Sequence, residues 1–122
     1  MEGKRIDRVA DLIRKEVAEL FLRTVKDPRV EQVTITRVKL TGDFRLARIR
    51  FSVPGTIEER ERALEGLNSA KGYIRRELAR RVNLRHTPEL RFEFDPSIEY
   101  SVRIGQVFHA LHRQEGEGKD ED

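Results

Sequence analysis

Apolar residues recur at Ile6, Val9, Ala10, Ile13, Val17, Leu20 and Phe21, the three-and-four spacing that gives a helix one buried stripe. This spacing predicts a helix from Ile6 to about Val25. Asp27-Pro28 ends it, because proline cannot continue a helix and disfavours helical geometry in the residue before it. Val33 and Ile35 then alternate in one phase and Val38 and Leu40 in the other, so a strand here needs a bulge or twist near Thr36-Arg37. Thr41-Gly42-Asp43 reads as a turn. Ala47, Ile49, Phe51 and Val53 alternate with Arg48, Arg50 and Ser52, predicting a second, antiparallel strand with one polar face that stops at Pro54-Gly55.

Thr56 followed by Glu59 has the form of a capping box, and Ala63, Leu64 and Leu67 supply the apolar face of a second helix. The helical signal weakens over Asn68-Ser69-Ala70-Lys71-Gly72 and resumes at Tyr73, Ile74, Leu78 and Val82, which predicts a kink or break at Gly72. Leu90, Phe92 and Phe94 alternate with Arg91, Glu93 and Asp95 in a third strand, introduced by Thr87-Pro88 and ended by Asp95-Pro96-Ser97. Val102, Val107, Phe108 and Leu111 suit a short closing helix, and the polar, acidic segment from Glu115 predicts disorder. The order helix, strand, strand, helix, helix, strand is an α+β pattern, with helices on one face of a three-stranded sheet and the other face open to solvent. Residues 1–114 form one domain in this reading, and residues 115–122 an acidic tail.

Charge changes the picture. The chain has 122 residues with 25 Lys and Arg against 22 Asp and Glu. Five of those acids and one lysine fall between Glu115 and Asp122, which leaves 24 basic and 17 acidic residues, a charge of +7, in the remainder. A domain this basic attracts polyanions, with nucleic acid and anionic membrane as the leading candidates. The absence of cysteine excludes disulfide scaffolds, thiolate zinc sites and cysteine nucleophiles. Met1-Glu2-Gly3-Lys4-Arg5 leads directly into an amphipathic segment with no apolar run of signal-peptide or membrane-spanning length, which predicts a cytoplasmic protein without a membrane partner.

The densest basic cluster is Arg75, Arg76, Arg80, Arg81 and Arg85, with Lys71 at its start. Such a cluster binds polyanions by releasing their counterions, and arginine also stacks on bases and grips phosphate through two bonds. A second reading has these arginines ion-paired with Glu77 and Glu65 on a solvated helix face. Arg48 and Arg50 share the polar face of the second strand, with Lys39 across from them and Arg45 in the hairpin. Adjacent like charges disfavour this pairing, which points to a use, although a plain solvated face has the same composition. Amides freed by a break at Ala70-Lys71-Gly72 would favour a phosphate at the start of the following helix. His109 and His112 supply two ligands where a catalytic zinc needs a third, and no nucleophile or phosphate-loop signature occurs, so neither metal, cofactor nor small-molecule substrate is expected.

The segment Gly72-Tyr73-Ile74-Arg75, followed by Leu84-Arg85, Pro88, Leu90 and Phe92, resembles the signature of the ribosome-binding factor A family. Arg5-Ile6-Asp7-Arg8-Val9-Ala10, Asp27-Pro28-Arg29-Val30 and Asp95-Pro96-Ser97-Ile98 extend the resemblance over about residues 5–113. It implies a KH-like domain of the second topology, in which an Ala-x-Gly kink, here Ala70-Lys71-Gly72, replaces the Gly-x-x-Gly loop. It further implies binding of the free 30S subunit and its 16S rRNA near the decoding region, assistance to late maturation and 16S processing, and no catalytic residue. Without the Gly-x-x-Gly loop, four-nucleotide clamping of a single strand is not carried over. The site expected on these grounds comprises Ala70, Lys71, Gly72, Arg75, Arg76, Arg80, Arg81, Arg85, Arg45, Arg48, Arg50 and Lys39, in a monomer. The alternative is a protein-interaction module that docks acidic partners on its basic faces.

Overall fold

The computed structural model describes residues 2–96. Its elements run α1 (Glu2–Arg23), a 3-10 turn (Pro28–Val30), β1 (Thr34–Leu40), β2 (Leu46–Ser52), α2 (Ile57–Arg81) and β3 (Glu89–Phe94). This is the expected α+β order with the helix first. The predicted closing helix, the acidic tail, and His109 and His112 lie outside the described residues.

Ala10, Ile13, Val17 and Leu20 form the buried stripe of α1. The chain then turns at the predicted stop. The Asp27 carboxylate accepts the Arg29 amide at 2.9 Å, and Pro28 takes the first position of the 3-10 turn, where no amide is needed. The Arg29 guanidinium folds back onto Asp27 at 2.8 Å and reaches Ser69 at 3.4 Å on α2. Its hydrogen bonds hold the Asp27 carboxyl below the usual carboxylate range. Gly66 lets this turn sit directly on α2: a methyl group there would fall 2.8 Å from Val30 Cγ1 and 3.0 Å from Arg29 Cβ.

The sheet has the order β1-β2-β3, with β1 antiparallel and β3 parallel to β2. Ile35 pairs with Phe51 and Arg37 with Arg50, so Thr36 is an extra residue and the expected bulge is present. The bulge resets the alternation, and Ile35, Val38 and Leu40 all face the core. The Thr36 hydroxyl donates to the Asp95 carboxylate at 2.7 Å, and the Asp95 amide donates to the Phe51 carbonyl at 2.8 Å. The β1–β2 connection spans residues 41–45, two residues beyond the predicted turn. Phe44, with φ 62°, takes the left-handed conformation, and its amide donates to the Thr41 carbonyl at 2.9 Å. Asp43 accepts from the Thr41 hydroxyl at 2.7 Å and the Arg45 amide at 3.1 Å, which lowers its pKa.

The capping box forms as predicted: the Thr56 amide donates to Glu59 Oε1 at 2.8 Å, and the Glu59 amide donates to Thr56 Oγ1 at 3.2 Å. Such a cap stabilises a helix by about 1 kcal/mol. Gly55, with φ 116°, supplies the turn before it. A break at Gly72 is absent: α2 continues as one α-helix through Ala70-Lys71-Gly72 to Arg81. The weak helix formers Asn68, Ser69 and Gly72 are exposed, whereas Leu67, Ile74 and Leu78 anchor both sides of them in the core. Burial of those three, at about 1.5–3 kcal/mol each, outweighs the roughly 1 kcal/mol that a mid-helix glycine costs. The amides expected to be free at the break belong instead to the helical ladder.

Both helices cover one face of the sheet. The α1 stripe, with Ala63, Leu67, Ile74 and Leu78 of α2, joins Ala47, Ile49, Phe51, Leu90 and Phe92 in one core. Side chains of opposite parity on the strands therefore project from the far face.

Candidate nucleic-acid interface

Among the described residues, the face of the sheet turned away from the helices is cationic. Cross-strand pairing sets Arg37 opposite Arg50 and Lys39 opposite Arg48, and the parallel pairing of β3 adds Arg91 beside Arg48 and Glu93 beside Arg50. Arg37, Lys39, Arg48 and Arg50 line a depression of about 140 Å³. One carboxylate sits at its edge. Arg48 Nε lies 3.0 Å from Glu93 Oε2, and Arg50 Nε lies 3.8 Å from Glu93 Oε1. Among the described residues Arg37, Lys39 and Arg91 have no ion pair.

The arginines of α2 divide by their partners. Arg75 donates to the Pro88 carbonyl at 3.0 Å and the Thr87 carbonyl at 2.9 Å, fastening the loop that enters β3. Arg80 pairs with Glu77 at 3.0 Å, although 76% of its side chain remains exposed. Arg81 crosses to α1, where it meets Glu16 at 3.1 Å and Glu19 at 4.0 Å, and it also lies 3.6 Å from Glu77. The hydrogen bond it donates to Glu16 raises its already high pKa. The ion-paired reading of the helix face thus describes Arg80 and Arg81. Lys71, Arg76 and Arg85 make no ion pair among the described residues, and Arg76 and Arg85 are exposed; Arg85 lies in the loop beyond α2, which ends at Arg81, and not on the helix as expected. Ala70 packs against the core and Gly72 is exposed. Arg45 is exposed in the hairpin, and its carbonyl accepts the Glu89 amide at 2.8 Å.

The structure thus brings Lys39, Arg48 and Arg50 together and separates them from the α2 group by the thickness of the sheet. Two members of the sheet face were not singled out from the sequence. Arg37 comes into phase with Lys39 once Thr36 is counted as the bulged residue, a signal present in the alternation. Arg91 reaches Arg48 only through the parallel pairing of β3, which alternation does not reveal. A larger depression of about 600 Å³, lined by Phe21, Leu22, Val25, Val30 and Val33, lies at the end of α1 away from these cations. The described residues contain no group of three or more His, Asp or Glu suited to a metal, and no helix among them is long and apolar enough to cross a membrane.

These features define a helix-first α+β domain with helices on one side of a three-stranded sheet and cations on the other. The sequence pattern of the family described as "Ribosome-binding factor A" matches residues 5–108, and the chain belongs to that family. It is 48% identical over 117 residues to a ribosome-binding factor A of Syntrophobacter fumaroxidans, covering 94% of this chain and 100% of the relative. The solution structure of a Thermotoga maritima protein is similar with a TM-score of 0.66 and 38% identity, over 73% of this chain and 85% of that one. A homology model of Thermus thermophilus ribosome-binding factor A, fitted into the electron cryo-microscopy map of a 30S complex, matches with a TM-score of 0.59 and 26% identity, over 71% and 91% of the two chains.

Proposed function

We propose that this protein binds the free small ribosomal subunit through its 16S rRNA and assists the late maturation and processing of that RNA, acting by binding rather than by catalysis. The observation that carries the reading is the Arg37, Lys39, Arg48 and Arg50 group. Opposed like charges cost stability in an isolated sheet, and a phosphate backbone turns that cost into binding through counterion release. The 30S complex of the Thermus relative supports the choice of polyanion. The contact surface comprises that group with Arg45 on the sheet side, and Ala70, Lys71, Gly72, Arg75, Arg76, Arg80, Arg81 and Arg85 on the α2 side. Within this set Lys71 and Arg76 of α2, and Arg85 in the loop that follows it, have no ion pair to give up and fasten no loop. Recognition rests on charge and shape, and the protein works as a cytoplasmic monomer without a cofactor.

Binding to purified 16S rRNA and to 30S subunits, before and after nuclease treatment, tests this reading against docking on acidic proteins. Binding to intact RNA that disappears with the RNA is expected. Retained binding to the RNA-stripped ribosomal proteins would favour the protein-docking alternative.

A further inference from the structure

The two basic surfaces lie on opposite layers of the fold. On α2, Ile74 and Leu78 point into the core, and Arg76, midway between them, is on the opposite side of the helix. Gly72, Arg76 and Arg80 follow one another at four-residue intervals and share an outward line. The sheet cations project from the far face of the sheet that α2 covers. A helix about 10–12 Å across, together with the sheet itself, separates the two groups. That exceeds the screening length of about 8 Å at physiological salt, so an anion on one surface scarcely affects the other.

Gly72 adds an independent observation. Gly55 needs a positive φ and Gly66 a close approach to Val30, whereas Gly72 is helical and exposed. A methyl group there would meet only Arg76 Nη1, at 3.6 Å. Nothing within the described fold calls for glycine at this position. A bare patch of helix backbone flanked by Lys71 and Arg76 suits the close approach of an external phosphate chain.

We propose that the two surfaces engage two separate RNA segments at once, so that a single molecule of this protein bridges them. The inference rests on the RNA-binding reading above. It adds an activity, the holding together of two RNA elements, that a one-sided binder lacks.

The test uses two short, non-complementary RNA hairpins, one on beads and one fluorescent, with the full chain at a concentration where sedimentation shows a monomer. Fluorescence polarisation with one hairpin reads simple binding, and retention of the fluorescent hairpin on the beads reads bridging. The variants are R37Q/K39Q/R48Q/R50Q on the sheet and K71Q/R76Q/R85Q on α2 and the loop that follows it, the helix variant. R37Q/K39Q serves as a milder sheet variant that leaves both Glu93 pairs in place, and thermal melts check that each folds. The wild type is expected to retain the second hairpin. Each variant is expected still to bind one hairpin through the surface it keeps, with a salt slope of about 2–3 for the sheet variant and about 3–4 for the helix variant, and to lose at least about 10-fold in retention. Hairpin binding without retention by the wild type overturns the bridging and leaves the RNA-binding reading intact. Full retention by either variant also overturns it, because one surface then suffices. Absence of binding to either hairpin overturns both.

Discussion

Neutralising Arg37 and Lys39 separates the stability of the sheet from its proposed use. These side chains stand opposite Arg50 and Arg48, respectively. A like-charged pair directly across an antiparallel ladder is destabilising, within an overall range of about 0.2–1 kcal/mol for cross-strand effects. The low end applies here, because solvent screens the face and Glu93 already offsets part of the repulsion, 3.0 Å from Arg48 and 3.8 Å from Arg50. Relief of both pairs is then worth about 0.5 kcal/mol, which raises the melting temperature of a domain of this size by roughly 2–4 °C. RNA binding moves the other way. Loss of two phosphate contacts makes the slope of log K against log salt less negative by about 1.4–1.8, so between about 50 and 200 mM salt the wild type loses roughly 10-fold more affinity than the variant. Thermal melts of R37Q/K39Q, paired with a salt titration against a 16S fragment by fluorescence polarisation, measure both effects. A lower melting temperature, or an unchanged salt slope, would refute the reasoning.

Two glycines of α2 respond oppositely to alanine. G66A pushes a methyl group against Val30 and Arg29 and lowers stability by about 1–3 kcal/mol despite its better helix propensity, whereas G72A meets only the end of the exposed Arg76 side chain at ordinary contact distance and raises stability by up to about 1 kcal/mol. Denaturant titration of both proteins reads the contrast. Asp27 and Asp43 are hydrogen-bonded in their charged forms, so their folded pKa values lie below the ordinary 3.8. The stability they contribute is present above that value and is lost as the pH falls through their lowered folded values. The melting temperature should accordingly hold from about pH 7 to about pH 5 and fall below about pH 4. D27N should melt lower at neutral pH and show a shallower acid decline; an unchanged acid decline in D27N would contradict the role of Asp27.

Local chemistry made much of the fold legible. The α1 stripe, the Asp27-Pro28 stop, the bulge at Thr36 and the Thr56–Glu59 box each follow from interactions within a few residues, and each is present. Gly72 misled because a propensity argument weighs one residue, while Leu67 and Ile74 on either side contribute core burial that outweighs it. The hairpin misled in a smaller way: Gly42 marked the turn, but the left-handed residue is Phe44, which packs against the core while Arg5 lies 5.1 Å from its ring centre. In the candidate site, charge was legible but partnership was not. Arg75, Arg76 and Arg81 look equivalent along the sequence, yet one fastens a loop, one is exposed without an ion pair and one clamps α1. Only tertiary contacts from residues 12 to 65 positions away distinguish them.

Co-sedimentation of the full chain with purified 30S subunits and with 70S ribosomes across a salt series, alongside R37Q/K39Q/R48Q/R50Q, addresses the sheet face as the surface that meets rRNA. Selective association of the wild type with free 30S, steeply weakened by salt, is predicted. The variant should bind more weakly, with a slope shallower by about 3–4. Association of the quadruple variant with 30S at wild-type strength and slope would contradict the account.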